Sequence, residues 1–369
     1  MKKLLVLFLL AASSMQAAYT LRNGKLINSD IVATMSVQEH YSAAMDAYQK
    51  SEWEEVIHQS LIVIKNFPTT PFAQDAFYYL GVGYFQIADY ELANQHLTTY
   101  LKKQSTPKYF EEAIQYKFQI AQQFQLGAKK HLMGWESMPK WIPAKEEAIA
   151  IYDEVITALP HHDLAAHSLF GKAELLLKEE EYTSSIETYQ TLIRRFPKHP
   201  LSVESYIGVA QVFLTQSQEQ YPDQDFLDLA EINLRKFRQD FPGEEKIVVA
   251  EKLFEQMQEV YASQLYDIGR FYERTKKHQA SYIYYTRIIA KYPETQVALL
   301  ANKRLENLKI KPNESIPAPK VKKNNSSPTT KSEEQSPTSP LLELPANNPI
   351  VQAEKELKSP LEEGALEVR

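Results

Sequence analysis

Five times along this chain an aromatic or aliphatic residue followed by proline closes an apolar pattern of helical spacing: Phe67-Pro68, Leu159-Pro160, Phe196-Pro197, Phe241-Pro242 and Tyr292-Pro293. Proline cannot continue a helix, so each pair reads as an end mark. With Pro107 as a sixth, weaker mark, the intervals are 39, 53, 37, 45 and 51 residues. These are variable insertions on one unit of ~34 residues, the size of a stacked helix pair. A lone pair leaves an apolar face bare and covers it only by stacking on its neighbour. The spacing therefore predicts an all-α stack of about five or six pairs, built to bind other polypeptides rather than to carry out chemistry.

The positions within each unit resemble the tetratricopeptide pattern, in which small residues let paired helices approach and large ones fill the space between them. Counted back from Pro293, Leu265, Gly269, Tyr272, Ser281, Tyr285 and Ile288 occupy its key positions. The unit centred on Ala93 offers Phe77, Gly81, Tyr84, Leu97 and Tyr100, and the one ending at Pro197 offers Leu169, Ala173, Leu176, Ser185, Tyr189 and Leu192. Two units carry insertions between their helices, at residues 127–143 and 218–225. The expected fold over residues 36–309 is a right-handed superhelical solenoid free of β-sheet, with residues 19–35 a short N-terminal extension.

The ends differ from this body. Lys2 and Lys3 precede nine apolar residues, 4–12, and then Ser13, Ser14, Ala17 and Ala18. A basic start, a short apolar run and small residues make residues 1–18 a secretory signal, too short to anchor in a bilayer. At the other end all 41 aromatics (22 Tyr, 16 Phe, 3 Trp) precede Lys311, while residues 311–369 hold 9 of the 20 prolines. Residues 310–369 lack the apolar surface that offsets ordering, and the reading is a disordered tail. The chain has no cysteine and a net charge of −6. Disulfides, thiolate zinc sites, thiol nucleophiles and a lipid-bearing N-terminal cysteine are thereby excluded.

A closer resemblance lies near the C-terminus. The stretch from Ala250 through Tyr261, Tyr266, Phe271 and Tyr272 to Arg274, followed by Lys291-Tyr292-Pro293-Glu294-Thr295 and a closing segment near Val297, looks like the last repeats of the outer-membrane assembly lipoprotein family called BamD, ComL or YfiO. Tyr48 to Ile57 with Trp53, then Phe67-Pro68-Thr69-Thr70-Pro71-Phe72, resembles its first repeats. The family carries a lipobox cysteine, which this chain lacks. The resemblance implies a periplasmic scaffold that docks on the periplasmic domains of a β-barrel insertase and receives unfolded barrel precursors, and without that cysteine its attachment to the outer membrane is expected to come through protein contacts. It also implies that the last repeat faces the insertase, with Arg270, Arg274, Lys276 and Lys277 supplying charge.

Groove positions of the first two units hold Tyr41, Met45, Tyr48, Tyr78, Val82 and Phe85, an aromatic lining suited to an extended peptide ending in aromatic and aliphatic side chains. The insertion bearing Trp135 and Trp141 is more apolar than an ordinary surface loop and reads either as a segment folded back on the stack or as a second docking element. No cofactor or catalytic residue is expected. His161, His162, Asp163 and His167 form the densest metal-like group, but they follow Pro160, where Asp163 reads as a helix cap. Glu179-Glu180-Glu181 reads as a solvated corner, and the paired lysines are isolated in an acidic chain, so nucleic acid is not an expected partner. An adaptor linking peptidoglycan or division machinery to the outer membrane is the alternative, although residues 19–35 are too short for the coiled coil such proteins add. An exported enzyme or metal carrier would rest on the histidines alone.

Overall fold

The computed structural model describes residues 19–22, 25–28, 31–103, 105–134, 138–220 and 223–308. The signal segment, residues 309–369 and Trp135 lie outside them. By its internal contacts the chain divides into residues 1–311 and 312–369, and the second unit is wholly outside the described residues.

Thirteen α-helices make up the described body. They are α1 (Val37–Gln49), α2 (Trp53–Asn66), α3 (Pro71–Gln86), α4 (Tyr90–Lys103), α5 (Phe110–Gln125), α6 (Lys145–Ala158), α7 (Asp163–Lys178), α8 (Tyr182–Arg195), α9 (Pro200–Glu219), α10 (Gln224–Asp240), α11 (Ile247–Arg274), α12 (His278–Lys291) and α13 (Gln296–Leu308). Successive helices pair, giving six repeats closed by α13. The architecture is the expected all-α tetratricopeptide-like solenoid.

Local chemistry places the boundaries. Ser36 caps α1 in a reciprocal box: Glu39 N–H donates to Ser36 Oγ and Ser36 N–H to Glu39 Oε2. Thr70 caps α3, whose first residue is Pro71, where a missing N–H costs nothing. The cap expected at Asp163 is instead His162, whose Nδ1 accepts from Leu164 N–H at 3.1 Å, because its backbone is the extended one. Asp163 is the first helical residue. In the four repeats without insertions, the turn between the paired helices passes through one residue in the left-handed region: Ser51, Ala88, Glu180 and Lys276, with φ of 57–62°. The corner at Glu179 to Glu181 is one of these turns.

The first helices of neighbouring repeats touch one another along the stack more extensively than the second helices do. The first helices therefore line the inner side of the curve. Close approach is bought by glycine at chosen points. A Cβ on Gly208 would lie 2.6 Å from the Tyr189 ring, and one on Gly269 2.6 Å from that of Tyr285. Two large buried clusters make up most of the core, one from Ala47 to Leu175 and the other from Ala173 to Ala301, and they meet at α7; smaller clusters gather around Phe237 and around Val63.

Two expectations are corrected. The stack is not free of strand: β3 (Lys129–His131) pairs antiparallel with β4 (Lys140–Pro143) inside the third repeat, while β1 (Tyr19–Arg22) pairs with β2 (Lys25–Asn28) in the N-terminal extension, outside residues 36–309. Strands of three or four residues leave no detectable period in an insertion that also holds Pro139 and Pro143. The expected insertion at 218–225 is partly helix at both ends, since α9 runs to Glu219 and α10 starts at Gln224.

Candidate functional site

The inner side of the first three repeats carries a seam of rings. Tyr41 and Tyr48 on α1, Tyr78 and Phe85 on α3, and Tyr109 and Tyr116 at α5 recur at i, i+7, two helical turns apart and so on one face. Their contacts interlock. Tyr41 meets Phe72 at 5.0 Å and Tyr79 at 6.0 Å; Tyr48 meets Tyr79 at 5.3 Å; Tyr78 stacks on Tyr109 at 4.5 Å and 17°; Phe85 meets Tyr116 edge-on at 5.1 Å. The Tyr79 and Tyr109 hydroxyls are hydrogen-bonded at 3.0 Å. Burial pushes the phenols of Tyr41, Tyr78, Tyr79 and Tyr116 upward, so they stay neutral and donate at physiological pH.

The six groove residues divide. Tyr41, Met45, Tyr48 and Phe85 are half-buried and present part of their surface. Tyr78, 5% exposed, and Val82, 0% exposed, are floor rather than lining: they sit beneath the seam in the core. The reason is local, since Tyr78 is covered by Tyr109 from the next repeat. Sequence reasoning stopped at the second repeat and missed Tyr109 and Tyr116, although the i, i+7 spacing continues into the third.

At the other end, Arg270, Arg274, Lys276 and Lys277 are all exposed around the turn between α11 and α12. Lys276 is the left-handed turn residue, and the Lys277 ammonium lies 6.0 Å from the Tyr272 ring. Tyr266 and Tyr272 are half-buried: Tyr266 packs against Tyr285 at 5.4 Å, and Tyr272 stacks on Tyr284 at 5.5 Å. Phe271, 53% exposed, stands among the basic side chains. The result is a cationic, partly apolar corner.

The insertion of the third repeat is folded. Its hairpin rests on the turn between α3 and α4, where His131, Asp89, Lys140 and Glu91 meet. The pairing slips between Lys130 and His131, which leaves Trp141 as the extra residue of a β-bulge, and its side chain is 66% exposed. Bulges turn a side chain out of the ladder.

Two polar sites need a chemical reading. Lys117 is 1% exposed and donates to Asn94 Oδ1 and Thr98 Oγ1 while pairing with Glu154 Oε2, each at 2.6 Å. Desolvation pulls its pKa down against the pull of Glu154. Its three protons meet three acceptors, so the cavity of about 430 Å³ beside it, between α4, α5 and α6, offers apolar walls but no spare cation at Lys117. The second site gathers Asp163, His167 and His199, whose ligand atoms lie within 4.8 Å of one another. His199 Nδ1 accepts from Leu201 N–H at 3.1 Å, which places the ring proton on Nε2, where it donates to Asp163 Oδ1 at 2.8 Å. That bond holds the Asp163 carboxyl below its usual range. A metal would need the Nε2 lone pair and would break the cap of α9. The cluster is therefore a tie between the fourth and fifth repeats.

Residues 146–325 match the model of a family described as YfiO, outer membrane lipoprotein. The match begins inside the third repeat and leaves the aromatic seam outside it. No curated protein matches the chain. Among solved structures, it resembles a tetratricopeptide repeat protein from Parabacteroides merdae ATCC 43184 at 12% identity, covering 74% of this chain and 98% of that one with a TM-score of 0.33. A thermophilic TPR protein from Thermus thermophilus aligns at 13% identity over 59% of this chain and 98% of its own, TM-score 0.28. MamA residues 41 to the end from Desulfovibrio magneticus RS-1 align at 12% identity over 57% and 97%, TM-score 0.33. Six stacked helix pairs with a closing helix make this chain a tetratricopeptide-repeat protein, and residues 146–325 are similar to the BamD (YfiO) family.

Proposed function

We propose that this protein is a non-enzymatic scaffold of outer-membrane β-barrel assembly, exported and held on the periplasmic side of the outer membrane by its partners. The observation that carries the reading is the match of residues 146–325 to the outer membrane lipoprotein family. The chain has no cysteine to bear a lipid, and none of the described helices is long and apolar enough to cross a membrane. Attachment then falls to protein contacts. In this reading the exposed corner at Arg270, Arg274, Lys276 and Lys277 docks on the insertase, with Trp141 as a second contact, and the seam at Tyr41, Met45, Tyr48, Phe85, Tyr109 and Tyr116 receives unfolded barrel precursors. Partly exposed tyrosines offer flat apolar area with a polar rim, which fits a peptide ending in aromatic and aliphatic residues.

The test of the client half is titration of a synthetic barrel C-terminal peptide into the wild type and into a Tyr48→Ala, Tyr116→Ala variant of confirmed helicity. True anchors contribute roughly 1–3 kcal/mol each, so the variant should bind at least about tenfold more weakly. Equal affinities would remove the seam from the mechanism. The envelope-adaptor reading keeps one supporting observation, that the seam lies outside the matched stretch. Absence of peptide binding by either protein would favour it.

A further inference from the structure

His131 is 5% exposed, and both of its ring nitrogens face oxygens. Nδ1 lies 2.7 Å from the Met138 carbonyl oxygen and Nε2 lies 2.8 Å from Asp89 Oδ2. A carbonyl and an ionised carboxylate only accept. A neutral imidazole has a single N–H, so it serves one of these oxygens and turns a lone pair toward the other. Only the imidazolium donates to both.

The charges around the ring agree. On the second repeat, Asp89 and Glu91 face it; Glu91 Oε2 accepts the His131 backbone N–H at 2.6 Å. On β4, Lys140 Nζ sits 3.2 Å from Asp89 Oδ2 and donates to the Ala88 carbonyl at 2.9 Å. On β3 itself, Lys129 is exposed and Lys130 pairs with Glu147 of α6. Two carboxylates thus meet Lys140 and His131, and the group is balanced only when His131 is charged. His40, the other fully buried histidine, has the opposite wiring: its Nε2 accepts from the Thr34 and Met35 N–H groups, each at 3.2 Å, so its proton belongs on Nδ1.

We propose that His131 is a proton-operated clasp: as an imidazolium it locks the β3–β4 hairpin onto the turn between α3 and α4, and loss of its proton frees the hairpin together with the Trp141 it carries. Desolvation pulls the His131 pKa down, but the Met138 carbonyl and Asp89 outweigh it and the net shift is upward. A raised folded-state pKa sets the sign. The clasp is complete below the ordinary histidine value of about 6.5 and opens as pH rises through the higher folded-state value. Bonding at Asp89 and Glu91 then sets the position of a side chain that is otherwise free to dock.

The experiment is NMR of the histidine ring nitrogens in the full-length protein, combined with amide hydrogen exchange corrected for intrinsic rates. At about pH 6, His131 should show two protonated nitrogens. Protection of the hairpin amides should fall about tenfold between roughly pH 6 and 9, with α7 to α9 unchanged. His131→Gln should remove that pH dependence. Should that variant lose the third repeat, Asp89→Asn keeps an acceptor while removing the charge, and it should move the His131 transition to lower pH by about one unit. A single protonated nitrogen on His131 at about pH 6, hairpin protection that is flat with pH in the wild type, or an unmoved transition in Asp89→Asn would each overturn the proposal.

Discussion

The two halves of the solenoid solve the same packing problem with different side chains. In the first three repeats the inner helices meet through tyrosines that continue from one repeat to the next, Tyr41 and Tyr48 to Tyr79 and Tyr78 to Tyr109. In the last three, aromatic contacts stay mostly within a repeat: Tyr206 stacks on Phe237 at 5.0 Å and 4°, and Tyr266 packs on Tyr285. The family match covers the second kind and not the first. A regular stack is enough to hold a shape, whereas a seam of half-buried phenols offers a peptide something to bind. The difference separates a half that matches the family model from a half whose seam lies outside that match.

Removing one core ring from each half is the strongest way to break that division. Tyr100 and Phe237 are both 0% exposed. Tyr100→Ala and Phe237→Ala should each cost about 3–5 kcal/mol. Because Tyr100 belongs to the large cluster of the first repeats and Phe237 to a smaller one between α9, α10 and α11, hydrogen exchange should show each loss concentrated in its own half. Uniform loss of protection would merge the halves into one cooperative unit.

Acid should act on the first half next. Burial lowers the His96 pKa to about 4, where it stacks under Tyr84 at 5.3 Å. A depressed histidine pKa means that its contribution is present above about pH 6.5 and is lost as pH falls toward the folded value, by up to about 3 kcal/mol. Urea titrations at neutral and mildly acid pH should show the drop, and His96→Gln should flatten it. An unchanged acid limb in His96→Gln would place the sensitivity elsewhere.

Smaller effects sharpen the comparison. Gly208→Ala drives a Cβ toward the Tyr189 ring and should cost about 1–3 kcal/mol by thermal unfolding. Ala88→Gly should stabilise by up to about 1 kcal/mol, because Ala88 holds a φ of 57° that glycine adopts without strain. No gain would mean that glycine's extra freedom in the unfolded chain offsets the relief.

What the residues revealed in advance follows from how each signal arises. The proline marks and small residues lie one repeat apart, so the helix pairs, their order and the closing helix near Val297 were readable. The seam was half readable. Tyr41, Tyr48 and Phe85 fall on the inner face by spacing, but Tyr78 becomes floor only because Tyr109 of the next repeat packs over it, a contact between repeats. The hairpin and its buried His131 were not readable, since their contacts run some forty residues back to Asp89 and Glu91 and depend on tertiary position. The cap at His162 was missed because histidine seldom serves there, while Asp163 beside it is a common cap.

The central claim is that this chain is a scaffold of barrel assembly, and capture tests it most directly. The full-length protein, tagged and purified from its own envelope under mild conditions, should bring down a β-barrel insertase, and Arg270→Glu with Arg274→Glu should reduce that recovery about tenfold or more while leaving helicity intact. Recovery of peptidoglycan or division proteins with no barrel insertase would contradict the account.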